Sequence, residues 1–130
     1  MMTTPLRVLL IEDSEDDATL ILRQLRRGGF DPIWERHDTA TGMWAALARQ
    51  TWDIILCDYV MPQFSGPAAL RLLQQSGVDV PVIIVSGEIS DEVAALALQA
   101  GACGYVMKDL LEQLVPAIQC RLRGSSSRRA

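Results

Sequence analysis

The stretch DIILCD, residues 53–58, decides the fold, because it is a short apolar run with an aspartate at each end. Four consecutive residues of Ile, Leu and Cys suit a strand that is covered on both faces, as in a parallel sheet. Three further runs have the same character, and a more polar run fits an edge strand. These runs are RVLLI at 7–11, VPVIIVS at 80–86, GYVM at 104–107 and, at the edge, PIWER at 32–36.

Helical patterns lie between and after these runs. Leu20, Ile21 and Leu25 recur at helical spacing after Ser14, and Asp17 follows Ser14 at the distance found in a capping box. Strand and helix alternate five times, which predicts a doubly wound α/β fold, a five-stranded parallel sheet with helices on both faces. The other helical patterns cover residues 43–48, 69–73, 93–100 and 113–122.

Polar side chains stand where four of the predicted strands end. In doubly wound sheets, ligands bind beyond the carboxyl ends of the strands, at the switch in strand order. We therefore expect these side chains to share one site. They are Glu12 and Asp13 after the first run, Asp58 after the third, Ser86 at the end of the fourth and Lys108 after the fifth.

The grouping predicts metal and phosphoryl chemistry. Three carboxylates at one edge repel one another without a cation, and hard oxygen ligands with room for water favour Mg²⁺ over zinc. A carboxylate beside such a metal is suited to accept a phosphoryl group, whose oxygens Ser86 and Lys108, the only lysine, would hold. Asp53 lies at the other end of the same run as Asp58, roughly 16 Å away at about 3.3 Å per residue.

Composition narrows the class of protein. The chain has 130 residues and a net charge of −4, and residues 1–120 hold all 16 acidic residues but only 8 of the 12 basic ones. An acidic body argues against direct binding of nucleic acid. Three widely spaced cysteines form neither a metal motif nor a disulfide framework, which favours a reducing compartment, the cytoplasm. No apolar run approaches the ~18–20 residues of a membrane span, and no signal peptide is visible.

Four motifs in order resemble the receiver domain of two-component response regulators. They are LLIEDSEDD at 9–17, ILCDYVMPQFSG at 55–66, VIIVSGE at 82–88 and GACGYVMKD at 101–109. The resemblance runs from about Leu6 to Leu122. It implies a flavodoxin-like strand order 2-1-3-4-5, an N-terminal tail at 1–5, a receiver domain at 6–122 and a flexible tail or linker at 123–130.

The resemblance also implies a role for each matched residue. Asp58 would accept the phosphoryl group from a sensor histidine kinase or a phosphotransfer protein. Glu12, Asp13, Asp58 and the backbone carbonyl of Val60 would bind Mg²⁺. Ser86 and Lys108 would hold the phosphoryl group, and Tyr105 would be the switch aromatic. No enzymatic activity is implied beyond the domain's own phosphoryl transfer and dephosphorylation. A downstream output module or protein would read the face formed by the fourth helix, fifth strand and fifth helix, where two copies would also pair.

Two departures and several alternatives accompany the resemblance. Asp109 stands where the family usually has proline after a cis bond, so we expect a trans Lys108–Asp109 bond. Glu12 replaces the more common Asp and is expected to reach the metal through water.

A haloacid-dehalogenase-like phosphatase would need Asp where Val60 stands, and a P-loop enzyme would need Ser or Thr after its lysine. A degenerate receiver, acting as an interaction module without phosphorylation, stays open as the alternative.

Overall fold

Strands and helices alternate along the chain as the apolar runs predict. The computed structural model describes residues 3–87 and 89–129, which form five strands and five α-helices. The strands are β1 Thr4–Ile11, β2 Phe30–His37, β3 Ile54–Cys57, β4 Val82–Ser86 and β5 Gly104–Met107. The helices are α1 Glu15–Arg27, α2 Ala40–Arg49, α3 Gly66–Ser76, α4 Asp91–Gln99 and α5 Leu114–Arg129, with a short 3-10 helix at Lys108–Gln113 before α5.

The five strands form one parallel sheet in the order β2-β1-β3-β4-β5. This order confirms the predicted flavodoxin-like fold, with the more polar β2 at an edge. The chain leaves β1 in one direction to build β2 and returns to the other side of β1 to build the rest. The carboxyl ends of β1 and β3 therefore flank the switch point at which such sheets bind ligands.

Two hydrophobic cores lie on the two faces of the sheet. Successive side chains of a strand point to opposite faces, so neighbours such as Leu9 and Leu10 enter different cores. Helices α1 and α5 cover one core, and α2, α3 and α4 cover the other. Burial on both faces explains why β3 is apolar throughout and β4 is apolar up to Ser86.

Local signals place the ends of several helices. The Ser14 hydroxyl accepts a hydrogen bond from the backbone N–H of Asp17 and so caps α1, as the capping pattern predicts. Gly28 follows the last residue of α1, and Gly29 adopts a φ of 92° that favours glycine. Pro116 lies in the first turn of α5, where its missing N–H costs nothing.

The first strand and the last helix extend beyond the limits of 6 and 122, which stay a prediction for the receiver domain. β1 begins at Thr4, inside the predicted tail at 1–5, because Thr4 and Pro5 pair with Phe30 and Asp31 of β2. α5 continues to Arg129, through most of the segment predicted as a flexible tail at 123–130. A helix that is already nucleated by packed residues extends at little further cost, so the end of the apolar pattern does not end the helix.

The tryptophans differ from one another in exposure. Trp52 is buried and donates its indole N–H to the backbone oxygen of Ala46, as expected of a packing residue. Trp34 and Trp44 are about half exposed. In the part of the chain that the structure describes, no helix combines the length and the apolar character that crossing a bilayer requires.

Candidate functional site

The strand ends bring the predicted polar residues together. Ile11 of β1 pairs with Cys57 of β3, so Glu12 and Asp58 leave adjacent strands side by side. The backbone N–H of Asp58 donates to the oxygen of Ile11 over 2.8 Å, which extends this pairing to the site. The sheet register therefore fixes the backbone of the site.

Asp58 is the centre of the site. Its side chain is buried, and the residue is only 6% exposed. One carboxylate oxygen, Oδ1, accepts from the Ser86 hydroxyl and from the backbone N–H of Val60, each over 3.2 Å. The other oxygen, Oδ2, lies 3.0 Å from the Lys108 ammonium. A hydroxyl, an amide and an ammonium thus surround one buried carboxylate.

Glu12, Asp13 and Asp58 form a group suited to a divalent cation. One carboxylate oxygen from each lies within 4.8 Å of the others, with Glu12 and Asp58 buried and Asp13 exposed. Among the described residues, the buried Glu12 Oε2 accepts no hydrogen bond of good geometry, although the Lys108 ammonium lies 2.9 Å away. Three hard oxygen donors, one of them open to water, fit Mg²⁺.

Hydrogen bonds fix the position of Glu12, and burial makes the charged form of its carboxylate costly. Its backbone N–H donates to the oxygen of His37, its backbone oxygen accepts from Arg36, and its side chain accepts from the N–H of Ser14. Burial raises the pKa of the Glu12 carboxyl to about 7, because the pairing with Lys108 offsets only part of the desolvation. A cation beside this carboxylate would restore its charged form.

Lys108 meets three carboxylates at once. Its ammonium lies 2.6 Å from Asp17 Oδ2, 2.9 Å from Glu12 Oε2 and 3.0 Å from Asp58 Oδ2. Desolvation by itself would lower the pKa of Lys108, but the contacts with Asp17, Glu12 and Asp58 outweigh it and raise the pKa above its usual value. The lysine is therefore charged throughout the neutral range.

Asp17 is the site residue that the sequence did not reveal. The capping pattern with Ser14 accounts for Asp17 in the sequence and gives no reason to place it in the site. Its carboxylate instead reaches Lys108, 91 positions along the chain. The available signal was its place in the first turn of α1, which begins directly after the strand end that carries Glu12 and Asp13.

Val60 and Tyr105 lie at the margin of the site. Val60 is exposed, and its N–H donates to Asp58, which leaves the role of its carbonyl a prediction. Tyr105 is 43% exposed on β5, opposite Ile84 and two residues before the level of Ser86. Cys57, next to Asp58, is buried, and burial raises the pKa of its thiol, which disfavours the reactive thiolate. The Lys108–Asp109 bond is trans, as are all peptide bonds that the structure describes.

Comparisons with known proteins agree on one family. The model of the response regulator receiver domain matches residues 8–119. The transcriptional regulatory protein PrrA of Mycobacterium tuberculosis is 32% identical over 127 residues, which cover 97% of this chain and 53% of PrrA. The transcriptional regulatory protein ZraR of Salmonella typhimurium is 28% identical over 112 residues, covering 85% of this chain and 24% of ZraR.

Solved structures agree on the fold. The receiver domain of the Francisella response regulator 1452 superimposes with a TM-score of 0.80 at 22% identity, covering 92% of this chain and 98% of that one. The chain belongs to the response regulator receiver family. It spans about half the length of PrrA and about a quarter of that of ZraR.

Proposed function

We propose that this receiver domain takes a phosphoryl group onto Asp58 with the help of Mg²⁺, from the phosphohistidine of a sensor histidine kinase or a phosphotransfer protein. The observation that carries the proposal is the environment of the Asp58 carboxylate. It is buried, it lies beside two further carboxylates, and it contacts the hydroxyl of Ser86 and the ammonium of Lys108. Asp53, on the same segment of chain, has none of these neighbours among its hydrogen bonds.

The reaction is a transfer between two carriers. An Asp58 oxygen attacks phosphorus, the P–N bond to the donor histidine breaks, and the imidazole leaves with the electron pair and takes up a proton. Mg²⁺, held by Glu12, Asp13, Asp58 and the Val60 carbonyl, would neutralise charge on the phosphoryl oxygens. Lys108 supplies a second positive charge, and the Ser86 hydroxyl donates to a phosphoryl oxygen. Water later cleaves the acyl phosphate, which restores Asp58 and releases phosphate.

The same group would switch an interaction face. Ser86 ends β4 and Tyr105 lies on the neighbouring β5, so a change at the Ser86 hydroxyl is passed to the outer strand. Leu96, Leu98 and Tyr105 are large apolar side chains that are left exposed on α4 and β5. We infer that an output module, a separate protein or a second copy of this chain binds there, in the cytoplasm and without direct contact to nucleic acid.

The proposal is tested with a small phosphodonor. The protein is incubated with acetyl phosphate and Mg²⁺, and the modified peptide is located by mass spectrometry after the acyl phosphate is reduced with borohydride. We expect one modification, on Asp58, that is absent when Mg²⁺ is removed by a chelator. Modification at another residue would contradict the assignment, and none at all would favour the alternative, an interaction module that works without phosphorylation.

The metal ligands are tested separately by calorimetric titration with Mg²⁺. Asp13→Ala should weaken binding about tenfold or more, because a direct charged ligand is lost. Asp16→Ala is the matched control, since it removes an exposed acid three residues further on. Equal weakening by Asp16→Ala would mean that net charge attracts the cation and that Asp13 does not bind it.

A further inference from the structure

Lys108 has an anchor outside the phosphoryl chemistry. Of its three carboxylate partners, Glu12 and Asp58 are the ones that the proposed function assigns to the cation and the phosphoryl group. The third, Asp17, makes the shortest contact, 2.6 Å from its Oδ2 to the ammonium. It is also the partner that has no other task in the site.

The carboxylate of Asp17 is free for this contact because of how α1 begins. In a complete capping box, the side chain of the third helical residue would return to the N–H of the cap residue. Here the N–H of Ser14 donates instead to Glu12 Oε1, over 3.2 Å. The Ser14 hydroxyl still accepts from the Asp17 N–H, so the backbone of Asp17 is fixed while its side chain is released. The next residue, Ala18, is buried and holds this turn against the core.

Lys108 needs such an anchor. Its stem has four rotatable bonds, and its backbone opens a 3-10 helix that is kinked at Leu110, where φ is −126° and ψ is 43°. Once Glu12 turns to a cation and Asp58 carries a phosphoryl group, the ammonium keeps one unchanged partner only if Asp17 holds it. A contact made from helix α1 fixes the ammonium relative to β1 and Asp58 instead of relative to its own loop.

We propose that Asp17 is a positioning residue of the phosphoacceptor site, which holds the Lys108 ammonium beside Asp58 throughout the cycle of phosphorylation. Asp17 acts through Lys108 and touches neither the phosphoryl group nor the cation. This inference rests on the proposed function, and it adds a residue whose removal should leave the acceptor and the metal ligands in place.

The first test observes the ammonium itself. Because Lys108 is the only lysine, a protein labelled with ¹⁵N-lysine gives a single side-chain ammonium signal in a proton–nitrogen spectrum. We expect a visible signal in the unphosphorylated, metal-free wild type, since a held ammonium exchanges its protons slowly with water. Asp17→Ala should broaden or shift it, Asp17→Asn should have a smaller effect, and Asp16→Ala should leave it unchanged. A signal that is the same in Asp17→Ala and wild type would overturn the anchor.

The second test measures the rate of phosphorylation by acetyl phosphate at saturating Mg²⁺. Asp17→Ala should be slower by roughly three- to tenfold, the order expected for one partly exposed charged contact, and Asp16→Ala should match wild type. Asp17→Asn provides the test should the alanine variant not fold. Unchanged rates with an altered ammonium signal would overturn the positioning role. If wild type takes no phosphoryl group, the proposed function fails, and the ammonium comparison still decides whether Asp17 holds Lys108.

Discussion

An aspartate flanks each end of β3, and the two residues lie in different surroundings. Asp53, just before the strand, is exposed, and its Oδ2 accepts one hydrogen bond from the backbone N–H of Arg7 over 2.8 Å. Asp58, just after the strand, is buried among Ser86, Lys108 and the N–H of Val60. Asp53 ends the pairing of β3 with β1 at the amino end of the strand, whereas Asp58 lies in the candidate functional site.

The difference teaches that position at the carboxyl end matters more than residue type. At that end the chain turns from each strand into a loop whose polar residues converge near the switch point. At the amino end, the neighbour of Asp53 is a backbone amide, which needs only one acceptor. Burial then requires that the carboxyl-end group has charged and polar partners, because a buried charge without partners is costly.

The largest expected effect compares the two aspartates directly. Asp58→Asn should reduce phosphoryl incorporation from acetyl phosphate at least 100-fold, because an amide cannot form the acyl phosphate. Asp53→Asn should incorporate as much as wild type, since it removes an exposed charge from the opposite end of β3. Radiolabel or intact mass reports both. Incorporation that persists in Asp58→Asn would break the comparison.

The next effect concerns Lys108, which contacts Asp58 at the carboxyl end of β3. Lys108→Arg keeps the charge, yet a planar guanidinium cannot take the place of a compact ammonium among three carboxylates 2.6–3.0 Å away. We expect both Lys108→Arg and Lys108→Ala to lose most of the phosphoryl-dependent change in amide exchange around Ser86 and Tyr105. Maps with and without a phosphoryl mimic measure this. A change of wild-type size in Lys108→Arg would reduce Lys108 to a simple charge.

A third effect sharpens the comparison through pH. Burial raises the pKa of Glu12 to about 7 in the folded protein, against an ordinary value of 4.5. Between pH 4.5 and 7 the folded protein therefore holds a proton on Glu12 that the unfolded chain has released. Without divalent cations, this proton contributes up to about 3 kcal/mol to the free energy of unfolding. The contribution is fully present below about pH 4.5 and is lost as the pH rises through 7.

Urea unfolding at several pH values in a chelator measures this slope. Glu12→Gln should flatten it relative to wild type, because the amide does not titrate. If Glu12→Gln and wild type lose stability equally between pH 5 and 7, burial does not raise the pKa of Glu12 as described.

The smallest effect tests how tightly the chain folds after Asp58. A methyl group on Gly66 would lie 2.7 Å from the Cα of Tyr59, whose backbone oxygen accepts from the Gly66 N–H. Gly66→Ala should therefore lower the free energy of unfolding by about 1–2 kcal/mol. Gly104→Ala, where no atom lies within 4 Å, should be neutral or slightly stabilising. Equal effects of the two substitutions on urea unfolding would show that the loop accommodates the methyl group.

The sequence predicted those parts of the fold and site that depend on local pattern. β5 has the predicted limits, and the polar residues at the strand ends meet because parallel strands end at one edge. Parts that depend on distant pairing were missed. Thr4 belongs to β1 only because β2 extends back to Phe30, and Asp17 is a site residue only because Lys108 lies opposite it.

The division of the interior by the sheet has a consequence for how substitutions combine. Leu9 and Leu10 are neighbours in the chain, yet they pack with different helices and share no core. The losses of unfolding free energy from truncating Leu9 and Leu10 should therefore be nearly additive. Leu9 and Leu70 lie 61 positions apart but in one core, so the losses from truncating these two should not be additive. Sequence variation in this chain is thus expected to be correlated within each layer and independent between layers, so that one layer of helices can be redesigned while the other is left as it is.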